Sequence, residues 1–431
     1  VLYGYDTARA DKGTNVVLPD TVKKIAANAF VLTNLRSIVI PSTVERVCAS
    51  AILYYGQTEL AVYVESTDTV LEENWSSATN SRVVSIKNGV SEDGTYFFLD
   101  ETTGLYYRLS SDKTASVLND LTATEAWSGD VELSSAITYG NEQYTLTEIA
   151  VQAFYSNSDK VTKMVLPNTL QKIGNYAFAN MILTEIVIPD SVTEIGYSMF
   201  YQTTTLEQVT FSKNISVVPS STFSDNANLT AFDFSGIEEI GESAFKNCGL
   251  TQADLSNVKS IAKNAFAGCS ALNAVTFSQE LESIGSYAFY ETALTEIYVP
   301  ASVAEIGDYA FAVNDSVEKV TLATGIAGKG AFQQNTALTT VEFVGGKEYS
   351  VGVQVFYQCS KLTAVSFGAG LTNIGTYAFM ESAVTKLSLP SSLKSIGDYA
   401  FYKCAKLDAV TFQEGLASVG KYSFQGTAVT E

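Results

Sequence analysis

The repeat that decides the fold is clearest in Leu183–Phe200, which reads LTEIVIPDSVTEIGYSMF. The residues before the proline alternate, with Ile186 and Ile188 on one side, and this predicts a half-buried strand. Pro189 ends the strand because proline cannot donate a ladder hydrogen bond. After Gly196, which permits a sharp bend, three or four residues can form one helical or 3₁₀ turn that directs the phenylalanine inward.

The same unit recurs along the chain at intervals of 21 to 24 residues. Its phenylalanines are Phe154, Phe178, Phe200, Phe223, Phe245, Phe266, Phe289, Phe311, Phe332, Phe356, Phe379, Phe401 and Phe424. One such coil cannot bury its leucine, isoleucine and phenylalanine alone, whereas stacked coils can. The pattern therefore predicts a solenoid.

The unit from Cys404 to Phe424 reads CAKLDAVTFQEGLASVGKYSF. It resembles the BspA-type leucine-rich repeat, with the pattern CxxLxxVxFPxxVxxIGxxAF, and the resemblance covers residues 13–65 and 130–431. The resemblance implies a β-rich α/β fold, a right-handed superhelix of parallel strands with short helical or 3₁₀ turns. It also implies a secreted or surface-anchored bacterial or protist protein of adhesive or ligand-binding type. It brings no catalytic residues.

The repeat lapses between Ile52 and Phe154, which predicts two arrays. We expect a truncated first array over 1–85, closed by a short helix at 68–79, and then a linker over 86–93. A small β-meander over 94–129 would cap the second array, which runs over 130–431 with about 13 repeats and stops in mid-pattern. The alternative is one continuous solenoid that carries an inserted island.

Composition narrows the function. The 431 residues include no histidine and carry a formal charge of −20. Without histidine, Ser-His-Asp and Cys-His nucleophiles and His-ligated metals are excluded. The acidic balance disfavours nucleic acid and anionic lipid as partners. We expect no enzyme activity, no cofactor and no membrane insertion in this fragment.

Cysteines occupy one position of the repeat. Cys248, Cys269, Cys359 and Cys404 each stand three residues after a phenylalanine, where most other coils have Asn, Thr or Ser. We expect a small residue with weak hydrogen-bonding ability at an interior corner, and buried free thiols. A disulfide between Cys248 and Cys269, in adjacent coils, is the alternative.

The outward strand positions are the candidate binding surface, because solenoid sheets present broad faces to partners. The tentative site residues are Asp233, Asp254, Glu296, Tyr298, Lys319 and Glu342. The alternative is that they are solvated strand residues chosen for β propensity. Asp233 and Asp254 in adjacent coils could also hold calcium. Rows of tyrosine could stack on sugars, or cover the turns beneath them.

These observations favour a non-enzymatic protein of the bacterial cell surface that is extracellular and monomeric. It would mediate adhesion by binding proteins or glycans of a host or a neighbouring cell. The alternative is a structural spacer that holds another domain away from the cell envelope.

Overall fold

The chain folds, in a computed structural model, as two compact units. One comprises Val1–Ser128, Glu132–Lys160 and Pro167–Ala177, and the other Gly129–Val131, Val161–Leu166 and Phe178–Glu431. The structure describes residues 14–32, 35–54, 60–64, 70–71, 76–78, 83–87, 96–100, 103, 105–118, 130–155, 161–326 and 328–430. Within these ranges the regular elements are all strands. No described residue belongs to a helix long and apolar enough to cross a membrane.

The start of the first unit is built from coils with three strands each. The strands are β1 (Thr14–Val17), β2 (Lys24–Ile25), β3 (Phe30–Leu32), β4 (Leu35–Ile40), β5 (Arg46–Val47), β6 (Ile52–Tyr54), β7 (Leu60–Val64), β8 (Val70–Leu71), β9 (Ser76–Ala78) and β10 (Val83–Lys87). They form three parallel sheets, β1-β4-β7-β10, β2-β5-β8 and β3-β6-β9. Ile38, Val47 and Ile52 are fully buried between these sheets.

The helix predicted over 68–79 is wrong where the structure describes it. Strands β8 and β9 lie there instead, paired in parallel with β5 and β6. The backbone N–H of Val70 donates to the carbonyl oxygen of Glu45 at 2.9 Å, because the preceding coil offers a strand edge. β10 extends to Lys87, so the first two residues of the predicted linker lie in a strand. Trp75 and residues 88–93 lie outside the described residues.

The predicted antiparallel meander is confirmed over 96–118, whereas residues 119–129 of its predicted range lie outside the described residues. The next strands are β11 (Tyr96–Asp100), β12 (Leu105–Leu109), β13 (Thr114–Leu118), β14 (Val131–Glu132), β15 (Ala136–Tyr139), β16 (Glu142–Ile149), β17 (Lys163–Val165) and β18 (Lys172–Ile173). β11, β12 and β13 pair antiparallel in succession. β16 pairs antiparallel with β15 and in parallel with β13 and β18, so it joins the meander to the repeat.

The second unit continues the coils to the end of the described chain. Its remaining strands are β19 (Glu185–Val187), β20 (Glu194–Ile195), β21 (Gln208–Thr210), β22 (Val217–Val218), β23 (Glu239–Ile240), β24 (Gln252–Leu255), β25 (Ser260–Ile261), β26 (Ala274–Phe277), β27 (Ser283–Ile284), β28 (Glu296–Val299), β29 (Glu305–Ile306), β30 (Lys319–Leu322), β31 (Thr340–Phe343), β32 (Tyr349–Val351), β33 (Ala364–Ser366), β34 (Leu371–Ile374), β35 (Lys386–Ser388), β36 (Ser395–Ile396), β37 (Ala409–Thr411) and β38 (Ser418–Val419). The first strand of each repeat unit precedes the position that Pro189 occupies in its coil. These first strands form the sheets β14-β17-β19-β21, β24-β26, β28-β30-β31-β33 and β35-β37. The short second strands form β22-β23-β25-β27-β29 and β32-β34-β36-β38.

A column of phenylalanine rings forms the centre of the second unit. From Phe178 to Phe424 the consecutive repeat phenylalanines stack with ring centroids 5.0–5.7 Å apart and interplanar angles of 3–22°. Phe289 is fully buried between Phe266, at 5.1 Å, and Phe311, at 5.2 Å. This spacing is close to the distance between neighbouring strands of a sheet, so each coil contributes one ring per step.

The segment that carries each phenylalanine is a turn, and not the predicted helical or 3₁₀ turn. In the coil of Phe289 the amides of Tyr287, Phe289 and Glu291 donate to carbonyl oxygens of the next coil at 2.9, 2.7 and 3.3 Å. The intervening Ala288 donates back within its own coil, to Gly285 at 3.2 Å. Tyr287 and Glu291 have φ of 59° and 55°, and this left-handed backbone turns alternate amides toward the neighbour. The strain is tolerated because the neighbouring coil fixes both residues.

The glycine of the Ile-Gly pair is required by a close approach between coils. A Cβ on Gly285 would lie 2.5 Å from the backbone nitrogen of Lys263 in the preceding coil. A Cβ on Gly307 would lie 2.4 Å from the backbone nitrogen of Ser286. Neither glycine has a positive φ, so the bend predicted from the sequence is not what selects glycine at these positions.

In eight of the described coils the residue three positions after the phenylalanine connects its coil to the preceding one. Its side chain donates to the carbonyl oxygen of the preceding phenylalanine at 2.8–3.2 Å. These donor–acceptor pairs are Thr203–Phe178, Asn226–Phe200, Cys248–Phe223, Cys269–Phe245, Asn314–Phe289, Asn335–Phe311, Cys359–Phe332 and Cys404–Phe379. The cysteines are therefore hydrogen-bond donors, and the structure describes them as free thiols.

We expect the Phe289→Ala variant to lose about 3–5 kcal/mol of stability, because it opens a cavity in the ring column. Urea unfolding followed by circular dichroism measures the loss. The matched control is Phe412→Ala, since Phe412 is 49% exposed. Equal unfolding curves for the two variants would contradict the assignment of Phe289 to the core.

The buried thiols predict a pH-dependent contribution to stability. Burial raises the pKa of Cys269 and of Cys359 from 9.0 to about 12. A raised pKa means that the folded state favours the protonated thiol, so the contribution is complete below pH 9 and is lost as the pH rises toward 12. The control is Cys269→Thr combined with Cys359→Thr, because threonine fills the same position at Thr203 and does not ionise there.

The urea midpoint of the natural sequence should therefore fall more steeply than that of the double variant between about pH 9 and about pH 11. Identical slopes for the two proteins would show that the thiols do not contribute in this way.

Candidate binding surface

Four of the six predicted site residues lie on one sheet. In β28-β30-β31-β33 Glu296 pairs with Lys319, while Tyr298 pairs with Thr321, which in turn pairs with Glu342. These side chains alternate with inward residues of the same strands, which are almost completely buried. Burial of one face fixes the register, so the sheet presents the other face as an ordered surface.

One ion pair on this sheet is accessible to solvent. Nζ of Lys319 lies 3.0 Å from Oε2 of Glu342, and the side chains are 42% and 38% exposed. At that exposure the ion pair contributes only about 0–1 kcal/mol to stability. Tyr298 beside it is 49% exposed. The stability of the fold therefore depends little on this ion pair, and the three side chains are accessible to solvent.

The two aspartates lie elsewhere and have a local role. Oδ1 of Asp233 accepts a hydrogen bond from the backbone N–H of Ser235 at 2.9 Å, and Oδ1 of Asp254 does the same for Ser256 at 3.2 Å. The bond from Ser235 lowers the pKa of Asp233. Asp254 lies on β24, whereas Asp233 lies in a segment without strand pairing.

The structure does not support the alternative that Asp233 and Asp254 bind calcium. Among the described residues no group of three or more His, Cys, Asp or Glu side chains could hold a metal ion. The six predicted residues thus comprise one cluster of four and two separate aspartates that stabilise turns.

Tyrosine rings of adjacent coils stack on one another. The rings of Tyr287 and Tyr309 have centroids 5.0 Å apart, and those of Tyr377 and Tyr399 are 5.1 Å apart. Both pairs are stacked, so each ring gives one face to its neighbour. A sugar ring needs an open aromatic face, and within these pairs fewer such faces remain.

A groove that the sequence analysis missed opens between two consecutive coils of the second unit. One wall is β21 and the residue before it, Glu207, and the other is the segment 230–233. The cavity has a volume of about 860 Å³. β21 is the last strand of its sheet, and the segment 230–233 forms no ladder with it. The groove is thus a gap in the outer sheet.

The hydrogen bonds of neighbouring coils show what is missing at the gap. Thr251 N donates to Thr230 O at 3.1 Å, and Glu207 N donates to Thr184 O at 2.9 Å. Among the described residues, the backbone N–H of Thr230 makes no equivalent hydrogen bond to the carbonyl oxygen of Glu207. Within the described residues, the backbone groups of 231–233 also make no backbone hydrogen bond.

An orphaned atom marks the same boundary. Oδ1 of Asn226 is buried and has no hydrogen-bond partner. The equivalent atoms of Asn314 and Asn335 accept the backbone N–H of Thr292 and Asn314, at 2.6 and 2.7 Å. The two coils on either side of the groove are therefore less completely bonded than their neighbours.

Phe232 gives a physical reason for the gap. In the neighbouring coils this inward position holds Ile186, Val209, Ala253 and Val275. The ring of Phe232 packs among the phenylalanines of the core, 5.3 Å from Phe223 and 5.1 Å from Phe245. Its larger volume keeps the backbone of 231–233 from the ladder position. A large aromatic residue at this position was the signal available in the sequence.

Hydrogen exchange tests the gap. The amides of residues 231–233 should exchange at least about tenfold faster than those of Val320–Leu322, because β30 is paired on both sides, with β28 and with β31. Mass spectrometry of peptic fragments measures both in one experiment. Equal protection of the two segments would contradict an open gap.

Comparisons with known proteins agree with the architecture. A model of the BspA type leucine rich repeat region matches residues 8–113, 147–257, 238–349 and 327–431, with six copies. Among curated proteins no sequence matches.

Solved structures are also similar. A leucine-rich repeat protein from Bacteroides ovatus is 23% identical over 75% of this chain and 90% of its own, with a TM-score of 0.55. A leucine rich cell surface protein from Faecalibacterium prausnitzii is 19% identical over 79% of this chain and 95% of its own, with a TM-score of 0.38. At these identities the first likeness shows the fold alone. Since the family model matches most of its length, the chain belongs to the BspA-type leucine-rich repeat family.

Proposed function

We propose that this protein is a non-enzymatic, extracellular protein of the bacterial cell surface that mediates adhesion. It binds a protein or glycan of a host or neighbouring cell through the outward face of its sheets, and acts as a monomer. Membership of the BspA-type family supports this proposal. The formal charge of −20 suits an exposed, soluble array that does not bind nucleic acid.

The observation that carries the proposal is the cluster of Glu296, Tyr298, Lys319 and Glu342. Their strands are held by buried inward residues and by the ladder, so the outward side chains are not constrained by packing. An exposed tyrosine beside charges of both signs combines an apolar ring with hydrogen-bonding groups. Such a combination is typical of the anchor residues of interfaces.

Binding of the purified chain to a panel of extracellular-matrix proteins and glycans tests the proposal. For a partner found there, Tyr298→Ala should weaken binding by at least about tenfold, as the loss of an aromatic anchor does. The matched control is Val187→Ala, because Val187 is also outward-facing and is 59% exposed. No binding above background, or an equal effect of both variants, would contradict the proposal and favour the spacer.

A further inference from the structure

We propose that the groove between β21 and residues 230–233 is a strand-addition site for an extended, basic segment of a partner polypeptide. The inference rests on the proposed function, which it deepens by naming a partner class and a second location. The groove lies apart from the Tyr298 cluster, since it is walled by different coils.

Backbone chemistry selects an extended polypeptide as the occupant. β21 ends its sheet, so its outer edge presents N–H and C=O groups without a strand partner. The opposite wall, residues 231–233, adds backbone groups that make no backbone hydrogen bond. An extended chain can pair with such edges by main-chain hydrogen bonds, as in strand addition generally. A compact sugar or a helix has no matching row of donors and acceptors.

The side chains that line the groove also indicate which side chains the partner's extended segment would carry. The charged residues that line it are Glu207 and Asp233, one on each wall, and both are exposed and acidic. Gln208 and Thr210, also exposed, add polar side chains on the β21 wall. Charge complementarity therefore favours lysine or arginine at the alternate positions of the segment that face outward.

The probe is a synthetic peptide of about six residues that alternates lysine and threonine, with both termini blocked. Its affinity for the purified chain is measured by fluorescence anisotropy at about 0.15 M salt, where charges more than about 8 Å apart are largely screened. Two further peptides serve as controls. One replaces lysine with glutamate, and the other keeps the sequence but carries N-methyl groups on alternate residues, which removes the N–H donors of one edge.

We expect the lysine peptide to bind and the N-methylated peptide to bind at least about tenfold more weakly, because charge alone does not make ladder bonds. The glutamate peptide should not bind. Bound lysine peptide should also slow the hydrogen exchange of Gln208–Thr210. Absence of binding, or equal affinity for the lysine and N-methylated peptides, would overturn the proposal.

The chain itself offers a matched pair of variants. Asp233→Lys and Asp254→Lys reverse the same charge and remove the same turn hydrogen bond, but only Asp233 lines the groove. Asp233→Lys should weaken lysine-peptide binding at least about tenfold, while Asp254→Lys changes it by no more than about twofold, since Asp254 does not line the groove. Equal losses would show general charge attraction and overturn the proposal.

The outcomes separate this inference from the proposed function. If the lysine peptide does not bind while Tyr298→Ala still weakens adhesion, only the strand-addition proposal is ruled out. If the lysine peptide binds while no matrix protein or glycan binds the chain, the strand-addition proposal is supported and the adhesion proposal is ruled out.

Discussion

Every coil of this protein depends on the coil beside it, because a single coil cannot bury its own apolar side chains. Phe289 illustrates the dependence, since its ring stacks between those of Phe266 and Phe311 and its amide bonds to the carbonyl oxygen of Ala310. In several coils the side chain three residues after the phenylalanine, such as that of Cys248 or Cys269, adds a further bond to the preceding coil. Stability in such an array is a sum of contacts between nearest neighbours, so damage to one coil remains local.

The same stacking decides which residues are free for function. Ile297 must face the core, and Gly285 must leave room for the preceding coil, whereas Tyr298 contributes little to either requirement. Where the ladder is complete, only side chains are available to a partner. At 231–233 the ladder is interrupted, and backbone groups become available as well. A repeat protein can thus gain a binding site by losing one rung of its sheet.

Sequence reasoning predicted the phenylalanine column and the meander β11-β12-β13, because both follow from local periodicity and turn residues. It failed at 68–79, where Val70–Leu71 and Ser76–Ala78 are strands. That segment has weak periodicity of its own, and the edges of β5 and β6 determine its conformation. The groove was missed for a related reason, since the size of Phe232 is visible in the sequence but its consequence for the ladder is not. Only packing reveals that its ring is too large for a complete ladder.

The sequence by itself determined the repeat, the coil length, the inward and outward positions and the absence of histidine chemistry. These are properties of one coil, or of its periodic recurrence, and they need no knowledge of neighbours. Tertiary structure decided the left-handed backbone of Tyr287, the need for Gly285, the donor role of Cys269 and the gap beside β21. Each of these depends on distances between residues of adjacent coils, which only the stacked chain sets.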